Sequence, residues 1–481
     1  MKRALAIVAV AVVVLGGSST TASAHVGSPD VYFEGAAGPY RVLVTVRPPD
    51  AVPGIAEVSA RVTDSIDHMT MVPLPAQGIG AKLSPTPDVA TRDRDDPRTF
   101  VGHLWLMQAG TWQVRLAADG PRGHGELAVP VPALPARTKK MQTALGVGLL
   151  ALLLLLAWGA ISIAGSGARD ASLEPGVEPS PEARRRGLRA KGVAAVVVVV
   201  ALVGGNAWWN AEASDYARYV YKPLGLHAHV DDGVLALQLE DPGWLKSRQL
   251  DDLVPDHDHL MHLYVVREPA MDRVWHLHPE ATGGGAFRYA LPAMEAGRYR
   301  LWADVVHASG LAETAVAEIE LPAIAGAPLD GDNATGSGPA TFEPARTIAP
   351  LDDGARMVWL RDDAPYRARR AGWFRFRVED AAGAAQPLEP YMGMMGHAAF
   401  VRRDGSTFAH VHPTGSVPMA SIMALDGAGD GNAMAAMHAV PAGATEVAFP
   451  YGFPRAGDYR IFVQVKRAGH IETGVFDAHA E

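Results

Sequence analysis

Two uncharged apolar stretches constrain this chain more than any other feature. Residues 141–165 read MQTALGVGLLALLLLLAWGAISIAG and residues 192–209 read GVAAVVVVVALVGGNAWW. A bilayer core is crossed by about 20 apolar helical residues. The second stretch is β-branched but too long for one buried strand, and Trp208 and Trp209 suit the interfacial belt. Both are therefore expected to be transmembrane helices. The connecting residues 166–191 carry Arg169, Arg184, Arg185, Arg186, Arg189 and Lys191, a bias that places a loop in the cytoplasm. Their Pro, Glu and Ser content predicts a disordered connector. At the start, Lys2 and Arg3 precede an apolar run over 4–15 and then Ala22-Ser23-Ala24, the pattern of a cleaved signal peptide over 1–24. The globular parts are thus expected outside an inner (cytoplasmic) membrane, on the periplasmic or extracytoplasmic side.

The remaining chain predicts strands. Residues 25–140 contain the short runs YRVLVTV, AEVSARV and TWQVRL, broken by Pro and Gly. Residues 210–322 contain GVLALQL, HLYVVR, YRLWADVV and TAVAEIEL in the same style. Residues 323–340, rich in Gly, Ala, Pro and Asp, read as a linker, and 341–481 as a third domain. The expected architecture is mainly β, with three immunoglobulin-like β-sandwich domains and two transmembrane helices. The second and third domains read as a duplication. MHLYVVREPAMDRVWHLHPE (261–280) parallels GHAAFVRRDGSTFAHVHPTG (396–415), and AGRYRLWADVVHASGLAET (296–314) parallels AGDYRIFVQVKRAGHIET (456–473), in the same order.

Chemistry is limited by what is missing. With no cysteine among 481 residues, disulfides, thiol catalysis and thiolate metal sites are excluded. The net charge of −9 and the lack of a basic-aromatic patch exclude nucleic acid. What remains is histidine. His276-Leu277-His278 and His410-Val411-His412 each put two imidazoles on one strand face, because side chains alternate. His257, His259 and His262 precede the first pair, beside Asp256 and Met261. His307 follows on a later strand. In the third domain His397 takes the part of His262 and His470 falls near the position of His307, with Met392, Met394, Met395 and Met419 close in sequence. Imidazole with thioether and no thiolate suits copper, while zinc accepts three His as well. His25, at the expected mature start, offers an α-amine and an imidazole to one ion, with His68, His103, His124, Asp67, Met69 and Met71 as candidate partners. Strand-end packing of the H-x-H-P motifs is the alternative reading.

These motifs resemble the YtkA-like family. The likeness is carried by DHDHLMH (256–262), HLHPE (276–280) and the 296–314 segment in the second domain, and by MGHAAFV (395–401), AHVHP (409–413) and AGDYRIFVQV in the third. It covers about half the chain and implies a copper-linked role outside the membrane, for example in oxidase metal-centre assembly. The first domain bears a faint likeness to CopC-type copper carriers through His25, but lacks their later D-x-H pair.

No G-x-S-x-G, H-E-x-x-H or P-loop is present. The sequence therefore predicts a non-enzymatic metal-binding protein. It would carry copper at His262, His276, His278, His307, His397, His410, His412, His470 and His25, and exchange it with a copper-accepting or copper-donating protein. The runner-up is an interaction module docked on a membrane complex without metal.

Overall fold

The computed structural model describes residues 29–77, 83–138, 141–174, 176–244, 248–362, 364–426 and 443–481. The expected signal peptide and His25 lie outside these. The chain forms two compact units, one of residues 1–136 with 221–481 and one of 137–220.

The smaller unit is two helices, Thr143–Asp170 and Pro181–Ala217. Both are long and apolar enough to cross a membrane. They pack closely at Gly165 and Gly187, where a Cβ would meet the Lys191 stem and the Gly165 carbonyl. The expected disordered connector over 166–191 is corrected: most of it is helical. Ser180 caps the second helix, its hydroxyl accepting from the Ala183 N–H at 3.2 Å, and Pro181 and Glu182 fill the first turn. A Ser-Pro-Glu start of this kind is a helix signal that overrides the polar composition.

The larger unit is mainly β, in largely antiparallel sheets, with one short α-helix, Met419–Asp426, among the described residues. Strands Val31–Ala37, Tyr40–Arg47, Gly54–Val62, Thr91–Arg92 and Thr99–Leu106 make one sheet of the first domain. Asp88–Val89, His68–Pro75, Gly110–Gly120 and Gly123–Ala133 make another. Val44, Val58 and Leu104 from the first sheet meet Met71, Leu116 and Val129 from the second in one core. Met69 and Met71 are fully buried there. They serve as packing groups in this core.

The second domain is built on one long sheet, and the third on two sheets of four strands. In the second domain, His262–Glu268 lies between Arg273–Leu277 and Gly297–His307. In the third, His397–Arg402 lies between Phe408–Val411 and Gly457–Arg467. Alternation then sorts the side chains. Leu263, Val265, Trp275 and Leu301 enter the core of their own domain. Tyr264, Val266, Val274 and Trp302 point the other way and meet Ala399, Val401, Phe408 and Phe462 of the third domain in a separate core. These strands are covered on both faces, which accounts for their nearly continuous burial.

Arg460 ties the junction. It is fully buried, pairs with both Asp477 oxygens at 2.8 and 2.9 Å, and donates to the carbonyls of Ala270, Met271, Pro339 and Thr341. The expected linker 323–340 is also partly structured. Ala334–Ser337 adds a strand beside Arg273–Leu277, pairing Ala334 with His276. Gly336 permits this, since a Cβ there would stand 2.4 Å from the Thr473 side chain. The first domain joins the third through Tyr32, Phe33 and Glu34, which bond with Thr414, Gly415 and Ser416.

Candidate metal centre

The fold brings six of the nine predicted histidines to one place. His262, His276 and His278 offer ligand atoms within 4.8 Å of one another, and so do His397, His410 and His412. Both triads lie on the faces that the two repeats turn toward each other. Ring centroids of His410 lie 5.2 Å from His262 and 5.4 Å from His276.

Each triad is built by the same local rules. The next-to-last residue of the strand, His276 in Arg273–Leu277 and His410 in Phe408–Val411, places the first imidazole in the junction, and the second imidazole follows two residues on, just past the strand end. The first His of each repeat sits opposite a polar residue on the long neighbouring strand, Asp304 for His262 and Gln464 for His397. These two polar residues reach across the repeat boundary. His276 Nδ1–H donates to Gln464 Oε1 at 2.8 Å. His410 Nδ1 faces Asp304 Oδ2 at 3.5 Å. His262 Nε2–H donates to the Asp256 carbonyl at 3.0 Å, and His397 Nε2–H donates to the Tyr391 carbonyl at 3.3 Å.

The backbone carbonyls fix two of the tautomers: a carbonyl only accepts, so Nε2 of His262 and of His397 carries the proton and Nδ1 carries the lone pair. Each of these lone pairs points at the next ring of its triad, His262 Nδ1 lying 3.0 Å from His276 Nε2 and His397 Nδ1 3.2 Å from His410 Nε2. Outer oxygens that each take the far N–H are the usual support of metal-ligating histidines. The third rings are buried as well. Both nitrogens of His278 and of His412 lack a hydrogen bond, with the Asn333 side chain and the Val417 backbone close by but outside bonding geometry.

Burial keeps the rings neutral. It pushes His262 down to about 4 and His412 down to about 3, and holds His276, His278, His397 and His410 well below the usual imidazole range, with neighbouring imidazoles adding to the effect. Asp304 is the opposite case. Burial pushes its carboxyl up to about 7, against the hydroxyl of Thr314 that donates to it and with Asp256 adding to the rise. A cavity of about 110 Å³ borders Asp256, His262, Asp304, His410 and His412.

The depressed pKa values dictate a pH response. Unfolded rings take up protons near pH 6.5, whereas the buried His262 ring does so only near 4, so between these values the unfolded chain binds more protons. Stability of the ion-free protein is full above pH ~6.5 and falls toward pH ~4, with His262 alone accounting for about 3 kcal/mol. Melting temperature measured across pH 4–8 checks this. A flat profile over that window would show that the rings titrate freely in the fold.

Two predicted ligands are elsewhere. His307 is buried between carboxylates, with Nδ1 2.6 Å from Asp252 and Nε2 3.1 Å from Glu313. Burial pushes His307 down, but the hydrogen bonds to Glu313 and Asp252 outweigh it and hold the ring above its ordinary value. A ring with both nitrogens so engaged has no lone pair for a metal. Glu313 continues to Arg248 and to the Tyr221 hydroxyl, so His307 belongs to a structural charge network. His470 is exposed at the first residue of the strand His470–Ala480 and pairs in register with Arg467. The strand registers align Asp304 with Gln464 and hence His307 with Arg467, not with His470. The extra residue in the Ala308-Ser309-Gly310 turn shifted the apparent match.

In the first domain His68 and His124 are exposed and share Asp119 at 3.3 and 2.8 Å. His103 is exposed on the other sheet. Met395 lies in the core of the third domain. The predicted ligand set omitted His257 and His259, which join the cluster. The His259 ring stacks on His278 with centroids 3.8 Å apart, and His257 lies 5.1 Å from His412 and 5.2 Å from His397. Their place in D-H-D-H-L-M-H, directly before His262, was the available signal.

A family model described as "Domain of unknown function (DUF8832)" matches residues 232–322 and 351–481, the two repeats. No curated protein matches. Among solved structures, the chain is similar to dimeric latent PorU from Porphyromonas gingivalis at 9% identity and a TM-score of 0.14, over 94% of this chain and 34% of that one. It is similar to the native conformation of E. coli alpha-2-macroglobulin at 9% identity and a TM-score of 0.20, over 95% of this chain and 23% of that one. A putative membrane anchored protein from Corynebacterium diphtheriae is similar at 8% identity and a TM-score of 0.15, over 94% of this chain and 96% of that one. The chain thus spans about a third of PorU and about a quarter of the macroglobulin.

Proposed function

We propose that this chain is a membrane-anchored copper-handling protein, with three immunoglobulin-like sandwich domains on the extracytoplasmic side of a cytoplasmic membrane. It holds copper in the paired three-histidine sites and passes it to, or takes it from, a partner protein. It carries the ion and converts no substrate.

One observation carries this reading: in each triad three buried imidazoles converge with ligand atoms within 4.8 Å of one another, and a lone pair of the first ring, Nδ1 of His262 or of His397, points into the group. The all-imidazole donor set favours copper over harder ions. The resemblance of both repeats to YtkA-like domains, and the fainter one of the first domain to CopC-type carriers, points the same way.

The topology supports the location. Residues before and after the two apolar helices belong to one compact unit, so both stretches lie on the same side of any membrane the helices cross. The arginines between the helices then favour the cytoplasm for the connecting turn and the outer side for the large unit.

The test is titration of the detergent-solubilised full chain with Cu(I) and Cu(II), counting tight equivalents. Two or more are expected, with competition by zinc. Absence of any tight equivalent would make the histidines architectural and remove the proposed role.

A further inference from the structure

One buried carboxylate stands beside the triads. Asp256 is 5% exposed and lies 4.0 Å from His262 Nε2. One oxygen is already oriented: Oδ1 accepts the Ala420 N–H at 2.8 Å, at the start of the helix Met419–Asp426. The other faces imidazoles.

Asp256, His257 and His412 offer ligand atoms within 4.8 Å of one another. The first two come from one repeat and the third from the other. His412 is 1% exposed and neither ring nitrogen has a hydrogen bond. It also belongs to the second triad. An imidazole has two nitrogens on separate edges, so one ring can serve two ions.

The backbone is bent to present His257. His257 and Asp258 both hold positive φ, 49° and 69°, in a tight turn closed by reciprocal Asp256–His259 bonds of 2.8 and 3.0 Å. Side-chain-bearing residues adopt this region at a cost of about 1–2 kcal/mol each. The other repeat makes the same turn at Met392 and Gly393, with φ 49° and 76°, but uses Tyr391 and Met392 where the first uses Asp256 and His257. The duplication therefore supplies this donor set once and not twice.

We infer that a third metal position joins the two repeats, held by Asp256, His257 and His412, with the His412 ring bridging to the ion of the second triad. This rests on the metal-binding reading of the triads. Bridging requires both His412 nitrogens, so binding of the third ion releases the remaining ring proton to solvent. The third ion links the halves of the cluster.

The test is Cu(II) loading of the detergent-solubilised full chain, with bound copper counted by elemental analysis and spin coupling followed by electron paramagnetic resonance. Three equivalents are expected, two of them spin-coupled through the shared ring. Asp256→Asn and His257→Met should each bind two equivalents with the coupling gone. The second variant installs the residue found at the aligned position of the other repeat, so the turn tolerates it. Two uncoupled equivalents in the unaltered chain, or three in both variants, would overturn the third position and leave the triads standing. No tight copper at all would overturn the metal reading as a whole.

Discussion

Replacing His276 and His410 together with alanine is expected to abolish tight copper binding at both triads. Each substitution removes the ring whose Nε2 faces its partner's lone pair at 3.0 or 3.2 Å. Losing an outer-shell partner of a metal site costs about 10–100-fold in affinity, and losing a direct ligand costs more. Competition against a chromophoric chelator should therefore show a drop of over ~100-fold at each site. His470→Ala is the control, because that ring is exposed at the start of the strand His470–Ala480 and belongs to neither triad. Gln464→Leu extends the experiment. It deletes the oxygen that holds the His276 N–H, and should weaken only the first triad by about 10–100-fold although Gln464 belongs to the other repeat. Unchanged affinity in the double alanine variant would move the copper sites away from these histidines.

Arg460→Met is expected to destabilise the large unit by about 3–5 kcal/mol, the typical consequence of stranding one half of a buried ion pair. Asp477 is fully buried and would keep only the Glu343 N–H, at 2.8 Å, while four carbonyls would lose their donor. Replacing Arg460 and Asp477 together with apolar residues should recover part of that loss, because no lone charge then remains buried. Urea unfolding of the solubilised protein reads both effects. A single-variant loss below ~1 kcal/mol would mean that water reaches Asp477 in the fold.

Much of this arrangement could be read in the amino acids, because alternation and repeat order are local properties. YRVLVTV, AEVSARV and YRLWADVV form strands within a residue or two of the expected limits. The H-x-H pairs do share a face. The junction between repeats was harder to see, since it depends on which surface covers which. The sign was present in HLYVVR and HAAFVR, whose two faces are both unsuited to water, as in strands buried from both sides. His307 was misread because a conserved spacing between repeats does not fix register: one extra turn residue moves the match to Arg467. The roles of Gln464 and Asp304 were not legible at all. Nothing local marks a side chain whose partner lies in another domain.

The separation of those partners has a consequence in time. His276 and Gln464 are 188 residues apart. At about 5–20 residues per second of synthesis, roughly 10–40 seconds pass between them. During that interval His276 exists without the oxygen that orients its ring. The first domain waits as well, because its Tyr32–Glu34 edge bonds with residues 414–416. A chain released early, or cut within the third domain, therefore carries most of its histidines without the second half of their cluster. Under the proposed copper role, completion of the polypeptide itself would act as the checkpoint on metal loading.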